Sequence, residues 1–217
     1  MVAGFSRDGF HWDRPTRRPF IPVSDPDDWN YSNVQSAGGV CLVVGDRLYF
    51  YVSGRSRPRG GGGENSTGLA TLRRDGFVSM DAGSVEGTLT TRPVRFSGRR
   101  LFVNTASELG ELRVEALDER GKVIAPFSAA ACLPIRSDST MQEVRWRGAE
   151  DLSALVGKPV RFRFRLRDGR LYAFWVSPDA SGASHGYVAA GGPGFSGPVD
   201  NEGAEIYRKC CASEVLH

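Results

Sequence analysis

The segment Asp25-Pro26-Asp27-Asp28-Trp29-Asn30-Tyr31-Ser32-Asn33 gathers carboxylates, amides and two aromatic rings within nine residues. Those residue types suit sugar recognition. An aromatic ring can lie on the C–H face of a pyranose, while acids and amides exchange hydrogen bonds with its hydroxyls. The strand expected to follow, Val34-Gln35-Ser36, adds Gln35 at the same end of the loop. Asp28, Trp29, Asn33 and Gln35 are therefore the candidate carbohydrate-binding residues. The same stretch also reads as a polar connection whose rings are tucked in for packing. Removing Trp29 separates the two readings, since only the first predicts loss of glycan binding.

Other chemistries find less to work with. His11, His185 and His217 are the only histidines, and none has a neighbour at metal-ligand spacing, so no zinc site or other metal centre is expected. No cofactor motif stands out. Four glycines run from Gly60 to Gly63, but Glu64-Asn65-Ser66 follows where a phosphate loop needs Lys and Ser or Thr before a helix. A serine nucleophile lacks its Gly-x-Ser-x-Gly elbow. The cysteines Cys41, Cys132, Cys210 and Cys211 are irregularly spaced, and Cys41 sits in an apolar run as a buried free thiol. The terminal pair reads as exposed reduced thiols.

The elements that must position such residues are strands nearly throughout. Val40–Val44 and Leu48–Val52 flank Gly45-Asp46-Arg47 as a hairpin. Leu101–Val103, Leu112–Ala116 and Val144–Arg147 continue the pattern. In Val160–Arg167, Val160, Phe162, Phe164 and Leu166 share one face and four arginines share the other. The arginine face reads as a cationic stripe for sulfated sugars or nucleic acid, or as a solvated face paired with Glu111, Glu115 or Glu143. Asp168-Gly169 then turns the chain into Leu171–Val176, a central strand in a hairpin with the arginine strand. One helical turn is expected at 150–156, capped by Asp151 or Ser153. The residues from Pro178 onward, rich in Gly, Ser, Ala and Pro, are expected as loosely packed coil.

A turn phrase occurs twice, as Ser6-Arg7-Asp8-Gly9-Phe10-His11-Trp12 and as Arg73-Arg74-Asp75-Gly76-Phe77-Val78-Ser79. Asp-Gly is a strong tight-hairpin signal. Its recurrence suggests arrayed sheet units, with Asp8 and Asp75 as structural turn residues.

Composition sets the outer limits. The 217 residues allow one or two domains, 40% hydrophobic residues suffice for a core, and the net charge of +3 is too small and too spread to imply nucleic acid. No stretch approaches the ~20 apolar residues of a membrane span. Charge at Arg7 and Asp8 breaks the layout of a signal peptide, so a natural start at Met1 would place the chain in the cytoplasm.

The segment Gly68 to Ser79 resembles the last blade of bacterial invertase/levanase-like proteins. Gly87-Thr88-Leu89-Thr90-Thr91-Arg92-Pro93, Leu101-Phe102-Val103-Asn104 and the run from Gly157 to Trp175 extend the resemblance. The copy Ser6 to Trp12 is also similar to the Asp-box turns of sialidase-type propellers. The resemblance implies an all-β protein: partial β-propeller blades over residues 1–82, or strands recruited into one sheet domain, then an antiparallel β-sandwich over 83–177 and a tail over 178–217. It implies a C-terminal or accessory portion of a glycoside-hydrolase-like protein whose ligand is an oligo- or polysaccharide. Three family motifs are missing, however: Trp-x-Asn-Asp-Pro, Arg-Asp-Pro and Glu-Cys. Glycoside hydrolysis needs two carboxylates ~5–10 Å apart, and no such pair can be named. Residues 1–82 make fewer than two blades at ~40–50 residues each. A truncated or split protein is expected, with self-association or a partner chain completing the propeller. The alternatives are a lectin-like carbohydrate-binding sandwich, with Tyr172 and Phe174 on an exposed sheet face, or a structural interaction module.

Overall fold

A computed structural model describes residues 1–26, 28–56 and 63–213, with side chains through Lys209. Gly60, Gly61 and Gly62 of the glycine run, Asp27, His217 and the side chains of Cys210 and Cys211 thus lie outside the described residues. The protein is all-β, built from antiparallel sheets. Its strands are β1 (Phe5–Ser6), β2 (Trp12–Asp13), β3 (Asn33–Ser36), β4 (Leu42–Val44), β5 (Arg47–Arg55), β6 (Asn65–Arg73) and β7 (Met80–Ala82). They continue as β8 (Gly87–Thr90), β9 (Arg100–Ala106), β10 (Glu111–Leu117), β11 (Asp138–Glu143), β12 (Arg161–Arg167) and β13 (Gly169–Ser177). Among the described residues a 3₁₀ turn, Ser153–Leu155, and a helix, α1 (Glu205–Ser213), complete the regular structure. Asp151 holds the 3₁₀ turn by accepting the Ser153 amide at 2.8 Å.

The chain divides into two compact units: Met1–Leu42 with Tyr49–Thr71, and Val43–Leu48 with Leu72–His217. In the first unit, β1 and β2 form a two-stranded hairpin in which Ser6 faces Trp12. β3 pairs with β5 in the register Asn33–Arg55, Val34–Gly54, Gln35–Ser53 and Ser36–Val52. Val34 and Val52 are buried on one side of this pair.

The second unit contains two sheets, with strand orders β10-β12-β8 and β11-β9-β13-β7. They share one hydrophobic core. Leu101 and Val103 from β9, Leu112 and Val114 from β10, and Phe162 and Phe164 from β12 are all buried in it. Each such side chain contributes about 1.5–3 kcal/mol by leaving water. Rings meet across the core, with Phe164 and Phe174 centred 5.1 Å apart. Cys132 is fully buried here as a free thiol, and burial pushes its pKa up. Trp146 packs edge-on against Phe127 and donates its indole N–H to the Val114 carbonyl at 2.8 Å.

Three expectations are corrected. The alternating run Val144–Arg147 lies outside regular strand; β11 forms just upstream, and Trp146 makes only isolated bridges to Cys132 and Ala149. β12 and β13 do not form a hairpin, because the turn at Asp168, with φ of 42°, passes the chain from one sheet to the other. The cause is apolar side chains on both strands, which are better buried facing each other across a core than side by side. Nor is the segment after Pro178 loose. Ala183, Val188, Asp200 and Ile206 are buried, and α1 follows. This segment covers the second face of β9 and β13: Phe102 stacks on Trp175 at 5.7 Å, and the Trp175 indole donates to the Gly182 carbonyl at 2.9 Å. That covering explains why β13 is apolar on both faces.

Candidate functional site

In the first unit, the candidate sugar-binding residues do not share one surface. A Cβ added to Gly54 would lie 2.3 Å from the Trp29 ring, as would one added to Gly68. The Trp29 ring therefore lies flat across two positions that lack side chains. Gly54 is the register partner of Val34, and directly paired residues project to the same face. Asn33 and Gln35, one residue to either side of Val34, project to the opposite face. Trp29 is thus separated from Asn33 and Gln35 by the sheet itself. Asp28 sits in the preceding turn, its carbonyl accepting the Tyr31 amide at 3.3 Å.

The two Asp-Gly turns differ although their residues agree. In the first, Gly9 adopts the left-handed conformation at φ 79°, and the Asp8 carboxylate accepts the amides of Phe10 at 2.9 Å and His11 at 2.8 Å. The His11 amide, then the His11 ring and the Phe10 amide, hold the Asp8 carboxyl well below its ordinary range. In the second, Asp75 itself takes the left-handed conformation at φ 53°, and the chain leaves β6 for β7 in another sheet. The repeated phrase is therefore not a repeated hairpin. Surrounding protein pushes the Asp75 carboxyl up while Arg74 opposes it; with 64% of the side chain exposed, solvent keeps the effect small.

The second unit holds a cavity of about 600 Å³, lined chiefly by Asp46, Arg47, Arg73, Asp138, Tyr172 and Tyr207. Backbone hydrogen bonding builds much of it. The Arg74 amide donates to the Asp46 carbonyl at 2.7 Å, which places the β4–β5 turn beside the end of β6. Arg73 donates from Nε to Asn104 Oδ1 at 2.6 Å, from Nη2 to the Thr105 carbonyl at 3.0 Å, and from Nη1 to Asp138. Its guanidinium carbon lies 4.9 Å from the centre of the Tyr172 ring. Every nitrogen of that guanidinium is thereby engaged, and Tyr172 is fixed in orientation. Tyr207 reaches the cavity from α1 and shares a 2.7 Å hydrogen bond with Thr140 Oγ1. Burial pushes the Tyr207 phenol up, so it stays protonated and able to donate.

A second cavity of about 190 Å³ shares Thr140, Met141 and Tyr207 with the first, and adds Arg74, Ser184 and Asp200. Arg74 Nη2 donates to Asp200 Oδ2 at 2.9 Å, with side chains only 8% and 1% exposed. Asp200 also accepts the Ser184 hydroxyl at 3.2 Å and the Gly203 amide at 3.0 Å. Arg74 Nη1 is buried without a hydrogen-bond partner.

The remaining sequence candidates fall elsewhere. Phe174 packs against the core and is not an exposed sugar platform. On the arginine face of β12, Arg163 and Arg165 are paired with carboxylates. Arg163 pairs with Glu115 directly opposite it, and Arg165 bonds Glu86 at 2.7 Å. Arg161 donates to the Thr91 carbonyl at 3.2 Å. Asp46, Arg73, Arg74, Asp138, Asp200 and Tyr207 escaped sequence reasoning. The one available signal was the charged pair Arg73-Arg74 at the end of an otherwise uncharged strand. Among the described residues no group of three His, Cys, Asp or Glu side chains could hold a metal ion. Comparison of the chain with protein-family models, characterised proteins and solved structures finds no match.

Proposed function

We propose that the chain is a carbohydrate-binding accessory portion of a glycoside-hydrolase-like protein, binding sugar without cleaving it. In this reading the two sheets sharing a core are a β-sandwich, and the strands of the first unit are blade-like elements. The observation that carries it is the cavity of about 600 Å³, where Tyr172 and Tyr207 stand with Asp46, Asp138 and Thr140. Aromatic rings beside fixed acceptors and hydroxyls offer a polyol both an apolar face and hydrogen-bond partners. Binding is favoured over hydrolysis because the Asp138 carboxylate is tied up as the acceptor of a bond from Arg73, whereas hydrolysis needs two carboxyl groups free to act on the substrate.

A glycan array read for both retention and cleavage tests the proposal. Retention without cleavage is expected, and Tyr172→Ala should weaken it at least tenfold. Absence of any retained glycan sinks the proposal, and so does turnover of a bound one.

A further inference from the structure

β6 is the last strand of the sheet that holds β3 and β5, and its residues 65–71 lie in the first unit. It pairs with β5 on one side, and among the described residues no strand pairs with its other side. Among the described residues, none of the turn and loop backbone hydrogen bonds involves residues 66–72 either. Such an edge presents a row of N–H and C=O groups ready to pair with another chain. Proteins blunt edges of this kind with charge, proline or short length. β6 is nine residues long, and from Asn65 to Leu72 it carries neither a charge nor a proline.

The two faces of β6 differ. The Trp29 ring lies over the positions of Gly54 and Gly68, so Gly68 and, by the strand period, Ala70 look toward Trp29. Thr67, Leu69 and Thr71 look the other way and are exposed, Leu69 by 47%. An added antiparallel strand sets residues of like facing opposite one another. Centred on Leu69, β6 meets that condition against itself. Leu69 then faces Leu69, Thr67 faces Thr71, and Gly68 faces Ala70. Apolar and threonine pairs are favourable across strands, and no like charges meet. The small residues Gly68 and Ala70 also leave the Trp29 ring uncrowded by the incoming strand. A foreign strand finds less to recognise, because selectivity in strand addition comes from side-chain pockets or charge, and this stretch has no charge to select with.

We propose that a second copy of the chain pairs its own β6 antiparallel with this edge, about a two-fold axis at Leu69, so that the sheet continues through a dimer. Main-chain hydrogen bonds supply most of the affinity. The interface is small, so the dimer should dissociate at roughly 10–100 µM, as transient contacts do.

Sedimentation velocity of the full chain from about 5 to about 500 µM should show one chain giving way to two. Leu69→Lys sets two like charges opposite each other at an exposed position, and should weaken the dimer at least tenfold. Leu69→Cys brings two Cα atoms to about 4.5–5.5 Å, within reach of a disulfide, so mild oxidation should join two copies through position 69. Thr71→Cys leaves its two thiols out of register and should not join them. Mass spectrometry of the linked peptides separates these bonds from any made by the native cysteines. A chain that stays monomeric at every concentration overturns the proposal, whether another protein's strand takes the edge or it stays bare. So does a dimer that Leu69→Lys leaves unweakened, or a link that forms at position 71 in preference to 69.

Discussion

Arg74 and Asp200 are the residues on which the second unit's interior polarity turns. Removing one partner of a buried ion pair leaves an uncompensated charge, so Arg74→Ala should destabilise the protein by about 3–5 kcal/mol in urea unfolding. Burial alone would raise the Asp200 carboxyl, but the Gly203 amide, the Arg74 guanidinium and Ser184 outweigh it, and the pKa lies below the ordinary 3.8. A carboxyl held below its unfolded value contributes stability that is fully present above about pH 5 and is lost as pH falls below about 4. Urea midpoints measured from pH 6 down to pH 3 should therefore fall steeply at the acid end, and Asp200→Asn should flatten that limb. An unchanged slope in the variant would refute the assignment. None of this was legible beforehand, because the partners are separated by 126 positions and Asp200 lies in a stretch whose composition suggested coil. Trp29 teaches the converse. Its composition-based reading as a sugar platform ignored Gly54 and Gly68, whose missing side chains make room for the ring. Because Trp29 is 38% exposed, Trp29→Ala should cost only about 1 kcal/mol and leave glycan retention unchanged.

Among the elements, the strands with clean alternation were readable and their partners were not. β12 shows why: Phe162, Phe164 and Leu166 alternate with arginines, and a period of two is a local property of a half-buried strand. Which sheet a strand joins depends on what covers its other face, and that is set by distant segments. Hence β13, tightly linked to β12 in sequence, pairs with β9 and β7 instead. The run around Trp146 alternates equally well yet stays outside regular strand, its indole anchored on Val114. On the β10–β12 pair, Glu115 is buried and accepts from Arg163 directly opposite. Glu115→Ala should destabilise by about 2 kcal/mol, and a double-mutant cycle with Arg163→Ala should recover a coupling of at least 0.5 kcal/mol. Additive losses would show that the pair does not interact. Because Arg163 and Arg165 are already paired with carboxylates, heparin should be retained only weakly, even at low salt.

At the scale of the whole molecule, the all-β character was plain from the sequence, since strand signals recur along most of its length. The units were less so. Residues 43–48 belong with the second unit although the chain on both sides of them belongs to the first, and no composition shift marks such an excursion. Buried apolar side chains are concentrated in the second unit, above all on β9, β10 and β12. Amides of those strands should be the slowest to exchange with deuterated solvent, and those of β1 and β2, whose pairing spans two residues each, among the fastest. Comparable rates would contradict the picture of one dominant core. The sealed sulfur at Cys132 adds a practical consequence. Walled off by Val114 and its neighbours, it is invisible to an alkylating reagent until the surrounding sheets part, whereas Cys41 is within easier reach. Mass shifts on the peptide carrying position 132, followed over hours, would time how often the interior breathes open, with no engineered label required.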